Sequence, residues 1–206
     1  MSHFITIAGP QASGKTTALN HLKKHHQDWF FLEDINPFTV IGKNHPGAAY
    51  TDTELEGKIL EIVSAKLHKI ENHYDQIIVA EMGIFHLVYG QFIGSKKLSN
   101  QFLPKFLKIY NEFNSSLVFI NITPEVSFAR KRKSYRQRIL AKGTTDDKEI
   151  SDSLTVYKHA INNIYPYWLD LYQRLDFPKI TIENSNLTEK EFLVKLDNVI
   201  KKIITR

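Results

Sequence analysis

Five short apolar runs alternate along the chain with longer segments whose apolar residues recur at helical spacing. Runs of this kind are typical of strands that are buried on both faces, as in a parallel sheet. They lie at His3–Ala8, Trp29–Leu32, Gln76–Ala80, Leu117–Ile122 and Lys179–Ile182. The alternation predicts one α/β domain over residues 1–206, with a mainly parallel five-stranded sheet between layers of helices.

The helical segments differ in how clearly the pattern defines them. Thr188-x-x-Glu191 is a capping box for a final helix that carries apolar residues from Phe192 to Ile203. The segment from Leu154 to Leu175 is helical and rich in aromatic residues, and Pro166 within it predicts a bend or a break into two helices. The aromatic side chains of this segment favour a role in the core over a stacking platform.

A glycine-rich turn directly follows the first apolar run. Gly9-Pro10-Gln11-Ala12-Ser13-Gly14-Lys15-Thr16 fits the pattern G-x-x-x-x-G-K-[ST], and the segment after it is helical. In such a loop, backbone N–H groups and a helix N-terminus surround phosphate oxygens. We therefore expect a P-loop NTPase fold that binds a nucleoside triphosphate through Gly9, Gln11, Ala12, Ser13, Gly14, Lys15, Thr16 and Thr17. Lys15 would reach the outer phosphates, and the Thr16 hydroxyl would ligate Mg²⁺.

Acidic residues follow two of the other strands. Glu33 and Asp34 come after the second run, and Glu81 comes after the third. Because ligands of such sheets bind beyond the carboxyl ends of the strands, we expect these acids to converge near the terminal phosphate. One would accept a proton from an attacking hydroxyl, and another, Glu81, would hold Mg²⁺ directly or through water.

A basic segment, from Arg130 to Lys142, contains seven basic residues and no acid. On a helix, Arg132 and Arg136 lie one turn apart, with Arg138 nearby. Arginines on a mobile segment stabilise the charge of a phosphoryl group in transfer, so residues 124–145 are interpreted as a lid. A solvated basic helix and a nucleic-acid-binding face are the alternatives. No basic and aromatic interleaving extends beyond the segment, so no nucleic-acid partner is expected.

The composition narrows the setting of this chemistry. The net charge of +5 is modest, and the chain contains no cysteine, which excludes disulfides and cysteine-ligated zinc. No apolar run approaches the ~20 residues of a membrane span, and the N-terminus has no secretion signal pattern. We expect a cytoplasmic protein without a membrane partner. Its oligomeric state stays open, a homodimer included.

These motifs together resemble the deoxynucleoside kinase family, within the wider nucleoside and nucleotide kinase group that includes thymidylate kinases. The resemblance rests on the phosphate loop, on the segment Leu32–Phe38, and on Arg132-x-x-x-Arg136-x-Arg138 after Thr123-Pro124-Glu125. It implies that Glu33 is the general base for a sugar hydroxyl and that Tyr50 lies against the sugar. It also implies that the three arginines form the lid.

The chain departs from the family pattern mainly on the substrate side. Met82-Gly83 follows Glu81, where the family commonly has arginine after the acid. The helix that usually offers a glutamine to the base carries Glu54, Glu56 and Lys58, and Ile139-Leu140-Ala141 occupies the place of an acid after the lid arginines. The phosphoryl-transfer half therefore matches better than the acceptor half.

The sequence thus predicts an ATP- and Mg²⁺-dependent kinase that transfers the γ-phosphoryl group to a nucleoside or nucleoside monophosphate. Its predicted catalytic residues are Lys15, Glu33, Arg132, Arg136 and Arg138, with Glu33, Tyr50 and Glu81 at the substrate. A kinase of an unrelated small metabolite is an alternative. A second is a nucleotide-dependent ATPase or switch module without a small-molecule acceptor. The chain has no Asn-Lys-x-Asp sequence for guanine, which counts against a GTPase switch.

Overall fold

Five parallel strands form the central sheet. The computed structural model describes residues 3–34, 53–73, 75–92 and 96–205. The strands are β1 (His3–Ala8), β2 (Phe30–Leu32), β3 (Ile78–Glu81), β4 (Asn114–Asn121) and β5 (Lys179–Glu183). Their order is β2-β3-β1-β4-β5, and all four neighbouring pairs are parallel. The predicted α/β fold with a parallel five-stranded sheet is confirmed.

Helices connect the strands. They are α1 (Lys15–His25), α2 (Thr53–His68), α3 (Leu87–Phe92), α4 (Lys96–Asn111), α5 (Pro124–Ala141), α6 (Asp147–Arg174) and α7 (Glu189–Ile204). Short 3₁₀ turns at Lys69–Asn72 and Gly83–His86 follow α2 and β3. The capping box predicted for the last helix is present, with Thr188 and Glu191 exchanging hydrogen bonds. No helix in these described ranges is long and apolar enough to cross a membrane.

Both faces of the sheet are covered by apolar side chains, which explains the unbroken apolar runs of the strands. On one face, Phe4 of β1 packs with residues of α2, α3 and α4 and with Trp168 of α6. On the other face, Ile5 and Ile7 pack with residues of α1 and α7. The sheet is therefore the middle of three layers. At its carboxyl edge lie the phosphate loop after β1, residues 33–34 after β2 and the turn after β3.

Helix α6 runs without a break through Pro166, so of the two predicted alternatives the separation into two helices is wrong. Buried side chains lie on both sides of the proline, with Ile161 before it and Trp168 and Leu171 after it. Proline removes one backbone hydrogen bond from a helix interior at a cost of about 3 kcal/mol. Burial of these large side chains offsets that cost. As predicted, Trp168 belongs to the core and is only 1% exposed.

Helices α5 and α6 pack against each other around a small apolar cluster of their own. It contains Tyr135, Ile139, Ile150, Leu154, Tyr157 and Ile161. Tyr135 and Tyr157 stack with ring centroids 4.2 Å apart. The pair of helices that carries the basic segment is thereby a packed hairpin beside the main core.

Candidate functional site

The phosphate loop joins β1 to α1 in a backbone form that only small residues permit. Gly9 has φ 149°, and a Cβ there would lie 2.1 Å from the carbonyl oxygen of Ile120. Gly14 has φ 105° and is the N-cap of α1, and Ala12 also has a positive φ of 60°. A tight turn that leads directly into a helix N-terminus is the geometry that proteins use for phosphate groups.

Helix α5 holds the phosphate loop from outside. Ser127 Oγ donates to the Gln11 carbonyl at 2.7 Å, and Arg130 Nη1 donates to the Ala12 carbonyl at 3.1 Å. Tyr135 donates its hydroxyl to Gln11 Oε1 at 2.5 Å. These bonds occupy carbonyls of the loop and so help to fix its peptide planes. Arg130 begins the predicted basic segment, but its bond to the loop could not be predicted, because a bond to a distant backbone carbonyl leaves no spacing signal.

Asn184, directly after β5, completes this support. Its Nδ2 donates to the Ser13 carbonyl at 2.8 Å, and its own carbonyl accepts from Arg130 Nη2 at 2.8 Å. Ser13 Oγ is buried and has no hydrogen-bond partner within the described part of the chain. A buried hydroxyl without a partner is costly. An oxygen-rich group beside the loop, such as a phosphate, would satisfy it.

The Lys15 ammonium binds backbone carbonyls of its own loop. Nζ donates to the Gly9 and Pro10 carbonyls at 2.9 and 3.0 Å and lies 5.7 Å from the centre of the Trp168 ring. Burial lowers the pKa of Lys15 to about 8, against the opposing charges of Glu81 and Asp34. Lys131, on the neighbouring helix α5, lowers this pKa further. The position therefore lacks enough negative charge around the ammonium, and an anionic ligand would supply it.

Thr16 and Glu81, the two predicted Mg²⁺ ligands, are in contact with each other. Thr16 Oγ1 donates to Glu81 Oε1 at 2.9 Å. Glu81, the last residue of β3, is 7% exposed and pairs in register with Ile7 of β1. Burial raises the pKa of its carboxyl group, and the Thr16 hydroxyl and the Lys15 charge partly oppose the rise.

This donor set fits Mg²⁺. A hydroxyl and a carboxylate are hard oxygen ligands, and Mg²⁺ at such sites takes only one or two protein ligands beside phosphates and water. Across the residues that the structure describes, no group of three or more His, Cys, Asp or Glu side chains gathers to hold a metal ion.

The two acids after β2 have different surroundings. Glu33 forms an ion pair with Lys23, its side chain is 64% exposed, and this pairing lowers its pKa. Asp34 instead lies with its Oδ1 3.0 Å from Nε2 of His86, a side chain that is only 7% exposed. The expected convergence of acids thus involves Asp34 and Glu81, while the Glu33 carboxylate faces α1.

A strained turn after β3 supports this arrangement. Met82 has φ 68° and Gly83 has φ 47°, and a Cβ at Gly83 would lie 2.2 Å from the Tyr110 hydroxyl. That hydroxyl accepts from the Ile84 N–H at 3.1 Å and bonds Thr6 Oγ1 at 2.7 Å. Burial raises the pKa of Tyr110 to about 12. The neutral phenol therefore ties β1, α4 and the turn together. Nothing in the sequence pattern marks Tyr110 for this role.

The three predicted lid arginines are exposed on α5. Arg132 and Arg136 line an open cleft of about 520 Å³ between α5 and α6, together with Asp147, and no residue of the phosphate loop lines this cleft. The Arg138 guanidinium lies 5.9 Å from the centre of the Tyr135 ring. In this form the structure does not bring Arg132 and Arg136 onto the loop.

Of the remaining predicted residues, one lies in the first turn of α1 and the others lie outside the described part of the chain. Thr17 is half-buried in the first turn of α1. Tyr50 and the segment Asn36–Phe38 lie outside the described residues, as do the side chains of Glu54 and Glu56.

Solved structures are similar to the chain over nearly its whole length. Deoxyadenosine kinase from M. mycoides with bound dATP aligns at a TM-score of 0.64 and 14% identity, covering 96% of this chain and 99% of that one. The same kinase with the products dCMP and a flexible dCDP aligns at a TM-score of 0.58 and 14% identity, covering 97% of this chain and 99% of that one. The YorR protein from Bacillus subtilis, in complex with phosphorylated GDP, aligns at 0.58 and 13%, covering 98% of each chain.

No protein-family model and no curated protein sequence matches the chain. The structural likeness therefore stands on the path of the backbone and not on shared sequence. Its extent, over almost all of both chains, agrees with the resemblance that the motifs indicate. The chain has the fold of the P-loop nucleoside and nucleotide kinases.

Proposed function

We propose that this chain is a kinase that transfers the γ-phosphoryl group of ATP to a nucleoside or a nucleoside monophosphate. The observation that carries the proposal is the contact between Thr16 and Glu81 at 2.9 Å, with the Lys15 charge acting on Glu81 and the Asp34 backbone bonded to the same carboxylate. Donor-side and acceptor-side chemistry thus share one edge of the sheet. The M. mycoides protein with this fold is a deoxyadenosine kinase, which supports a nucleoside-type acceptor.

The donor half consists of the loop, Lys15 and the Thr16–Glu81 pair. Loop N–H groups and the N-terminus of α1 would bind the phosphate oxygens, and the Lys15 ammonium would leave the Gly9 and Pro10 carbonyls for the outer phosphates. Thr16 and Glu81 would hold Mg²⁺, which neutralises charge on the β- and γ-phosphate oxygens. Arg130 keeps the loop carbonyls turned away from this ligand.

In the proposed reaction, an acceptor hydroxyl oxygen forms a bond to the γ-phosphorus as the bond to the β,γ-bridging oxygen breaks. ADP leaves with that electron pair, and a carboxylate takes the hydroxyl proton. The acids after β2 are the candidates for the base. Glu33 is the residue that the family resemblance indicates, and Tyr50 is the residue that it assigns to the sugar.

The segment 124–145 would act as the lid of a single kinase domain. Its arginines, Arg132, Arg136 and Arg138, are exposed. Movement of these side chains, with Ser127 and Arg130 still bonded to the phosphate loop, would bring their charge toward the transferring group, where it stabilises the spread negative charge of phosphoryl transfer. This movement is part of the proposal.

A coupled assay of ADP release tests the function. Purified protein is supplied with ATP, Mg²⁺ and, one at a time, the common nucleosides, deoxynucleosides and their 5′-monophosphates. We expect acceptor-stimulated turnover for at least one of them and its loss in Lys15→Ala. If no compound of the panel stimulates turnover while unrelated hydroxyl metabolites do, the nucleoside acceptor is wrong. ATP hydrolysis that responds only to a protein or nucleic acid would indicate a switch module.

A further inference from the structure

Asp34 and His86 form a pair that no motif of the sequence contains. Asp34 follows β2, and His86 ends the 3₁₀ turn after β3. Their contact, Oδ1 to Nε2, is 3.0 Å long, and the imidazole is almost completely buried while the carboxylate remains 39% exposed. Because an ionised carboxylate only accepts hydrogen bonds, Nε2 carries the proton and donates it. The pair therefore presents one oriented carboxylate at the solvent-facing edge of the sheet.

Asp34 also interacts electrostatically with residues of the proposed phosphate site. Its negative charge raises the pKa of Lys15 and of Glu81, and its backbone hydrogen-bonds the Glu81 carboxylate. Glu81 in turn accepts the hydroxyl of Thr16 at 2.9 Å. A short chain of contacts thus connects His86 and Asp34 to the residues that would hold the donor.

Lys66 of α2 interacts electrostatically with Asp34, Glu33 and Glu81 alike, but Glu33 has a side-chain partner of its own. Its carboxylate is paired with Lys23 of α1, and its backbone carbonyl accepts from Lys66 of α2. The charges that act on its pKa are those of these two lysines, which favour a stable carboxylate turned toward α1. A proton acceptor must lie within hydrogen-bond reach of the hydroxyl that it serves. The Asp34 backbone bonds the Glu81 carboxylate and the Asp34 charge acts on Lys15, whereas the Glu33 carboxylate is held by Lys23. Asp34 therefore lies on the side of the residues that would hold the phosphates.

We propose that Asp34, oriented by His86, is the base that takes the proton from the acceptor hydroxyl. The proposal rests on the proposed kinase function and names the acceptor-side residues of that same site. The hydroxyl proton passes to the Asp34 carboxylate as the hydroxyl oxygen bonds the γ-phosphorus and ADP leaves. His86 is a positioning residue, because its hydrogen bond to Oδ1 fixes the carboxylate plane, and Oδ2 would take the proton.

The surroundings of His86 suit a fixed support. The imidazole projects from the turn that Gly83 and Ile84 begin, and the buried Tyr110 hydroxyl anchors this turn through the Ile84 N–H. Phe85, the preceding residue, stacks on Trp168 with centroids 5.7 Å apart. A donor mounted on such a rigid element loses little entropy when it holds its partner.

Steady-state kinetics of paired variants test the assignment, with the acceptor that gives wild-type turnover. Asp34→Asn keeps the shape of the side chain and removes its basicity. We expect kcat to fall by about 100-fold or more, as for loss of a general base, with the KM for ATP within about threefold of wild type. Asp28→Asn, the same change at an exposed residue before β2, measures the background. In Glu33→Gln the fall in kcat should be at least tenfold smaller than in Asp34→Asn.

Two substitutions at His86 separate positioning from packing. His86→Phe fills the space but has no donor, and we expect kcat to fall by about 10- to 100-fold. His86→Gln supplies an amide N–H in the place of Nε2, so most of the lost kcat should return. Thermal melting and binding of a fluorescent ATP analogue check that each variant is folded. If Asp34→Asn does not fold, the comparison of kcat in His86→Phe with kcat in His86→Gln decides whether the hydrogen bond from His86 supports catalysis.

Two results would overturn the assignment while the kinase function stands. One is a larger loss of kcat in Glu33→Gln than in Asp34→Asn. The other is equal kcat in His86→Gln and His86→Phe. Absence of acceptor-stimulated turnover in the wild-type protein would overturn the kinase function, and the assignment with it.

Discussion

From the proposed function, we expect the Lys15 ammonium to make nucleotide affinity depend on pH, in a window that its pKa defines. Its pKa is lowered to about 8 by burial, so the ligand-free protein holds the proton at pH 7 and releases most of it by pH 9. A bound triphosphate surrounds the ammonium with negative charge and raises this pKa again. Binding above pH 8 must therefore be accompanied by uptake of a proton.

The size of the effect follows from linkage. One pH unit above the free-protein pKa, about 0.9 of the Lys15 side chains are neutral, and reprotonation costs about 1.4 kcal/mol, or tenfold in affinity. We therefore expect the Kd for Mg·ATP to be constant below about pH 7.5 and to rise about tenfold between pH 7 and pH 9. The phosphates do not contribute to this rise, since a terminal phosphate has its second pKa near 6 and is already ionised.

Isothermal titration calorimetry measures both quantities. Titrations at pH 7 and pH 9, each in two buffers of different ionisation enthalpy at equal ionic strength, give the Kd and the number of protons taken up. Lys15→Arg is the matched control, because a guanidinium stays protonated throughout this range. We expect weaker but pH-independent binding in that variant. An unchanged Kd in the wild type, or an equal rise in Lys15→Arg, would refute the assignment of this proton to Lys15.

Three further changes test the supports of the site. Gly9→Ala places a Cβ 2.1 Å from the Ile120 carbonyl oxygen and should abolish measurable ATP binding and lower Tm. Gly143→Ala, which meets nothing within 4 Å but also has a positive φ, should cost only about 1 kcal/mol of unfolding free energy and leave binding intact. Tyr110→Phe leaves the Thr6 hydroxyl and the Ile84 N–H without their buried partner, so urea denaturation should give a loss of about 1–3 kcal/mol. Tyr172→Phe, which removes an exposed hydrogen bond, should cost less than about 1 kcal/mol, and equal losses in the two variants would contradict this account. Arg130→Met releases the Ala12 and Asn184 carbonyls and should raise the Kd for ATP about tenfold in fluorescence titrations, whereas Lys142→Met, at the exposed end of α5, tests for a simple loss of charge.

Features that depend on neighbouring residues in the chain could be predicted. The strands are short apolar runs because both faces of a parallel sheet are buried, and their positions follow directly. The phosphate loop and the capping box at Thr188 are both local patterns. The contact of Thr16 with Glu81 has a similar origin, because the parallel sheet brings the ends of β1 and β3 together.

Predictions failed or stopped where a contact between distant segments decides the outcome. The separation of α6 at Pro166 was wrong, because burial of Trp168 and Leu171 outweighs one lost hydrogen bond. The roles of Arg130, Asn184 and Tyr110 had no sequence signal, since each binds a backbone group far away in the chain. Every residue type except proline has the same backbone N–H and C=O groups, so the sequence does not reveal which distant side chain will bond them.

For the two acids after β2, too, part of the arrangement followed from the sequence and part from contacts between distant segments. The sequence by itself determined that two acids follow β2, because their position after an apolar run is a local property. Only the tertiary structure decided that the Glu33 carboxylate turns to Lys23 while Asp34 meets His86. The direction of a side chain at a strand end depends on which charges and donors the neighbouring elements bring within reach. Those neighbours, α1 and the turn after β3, come together only when the sheet has formed.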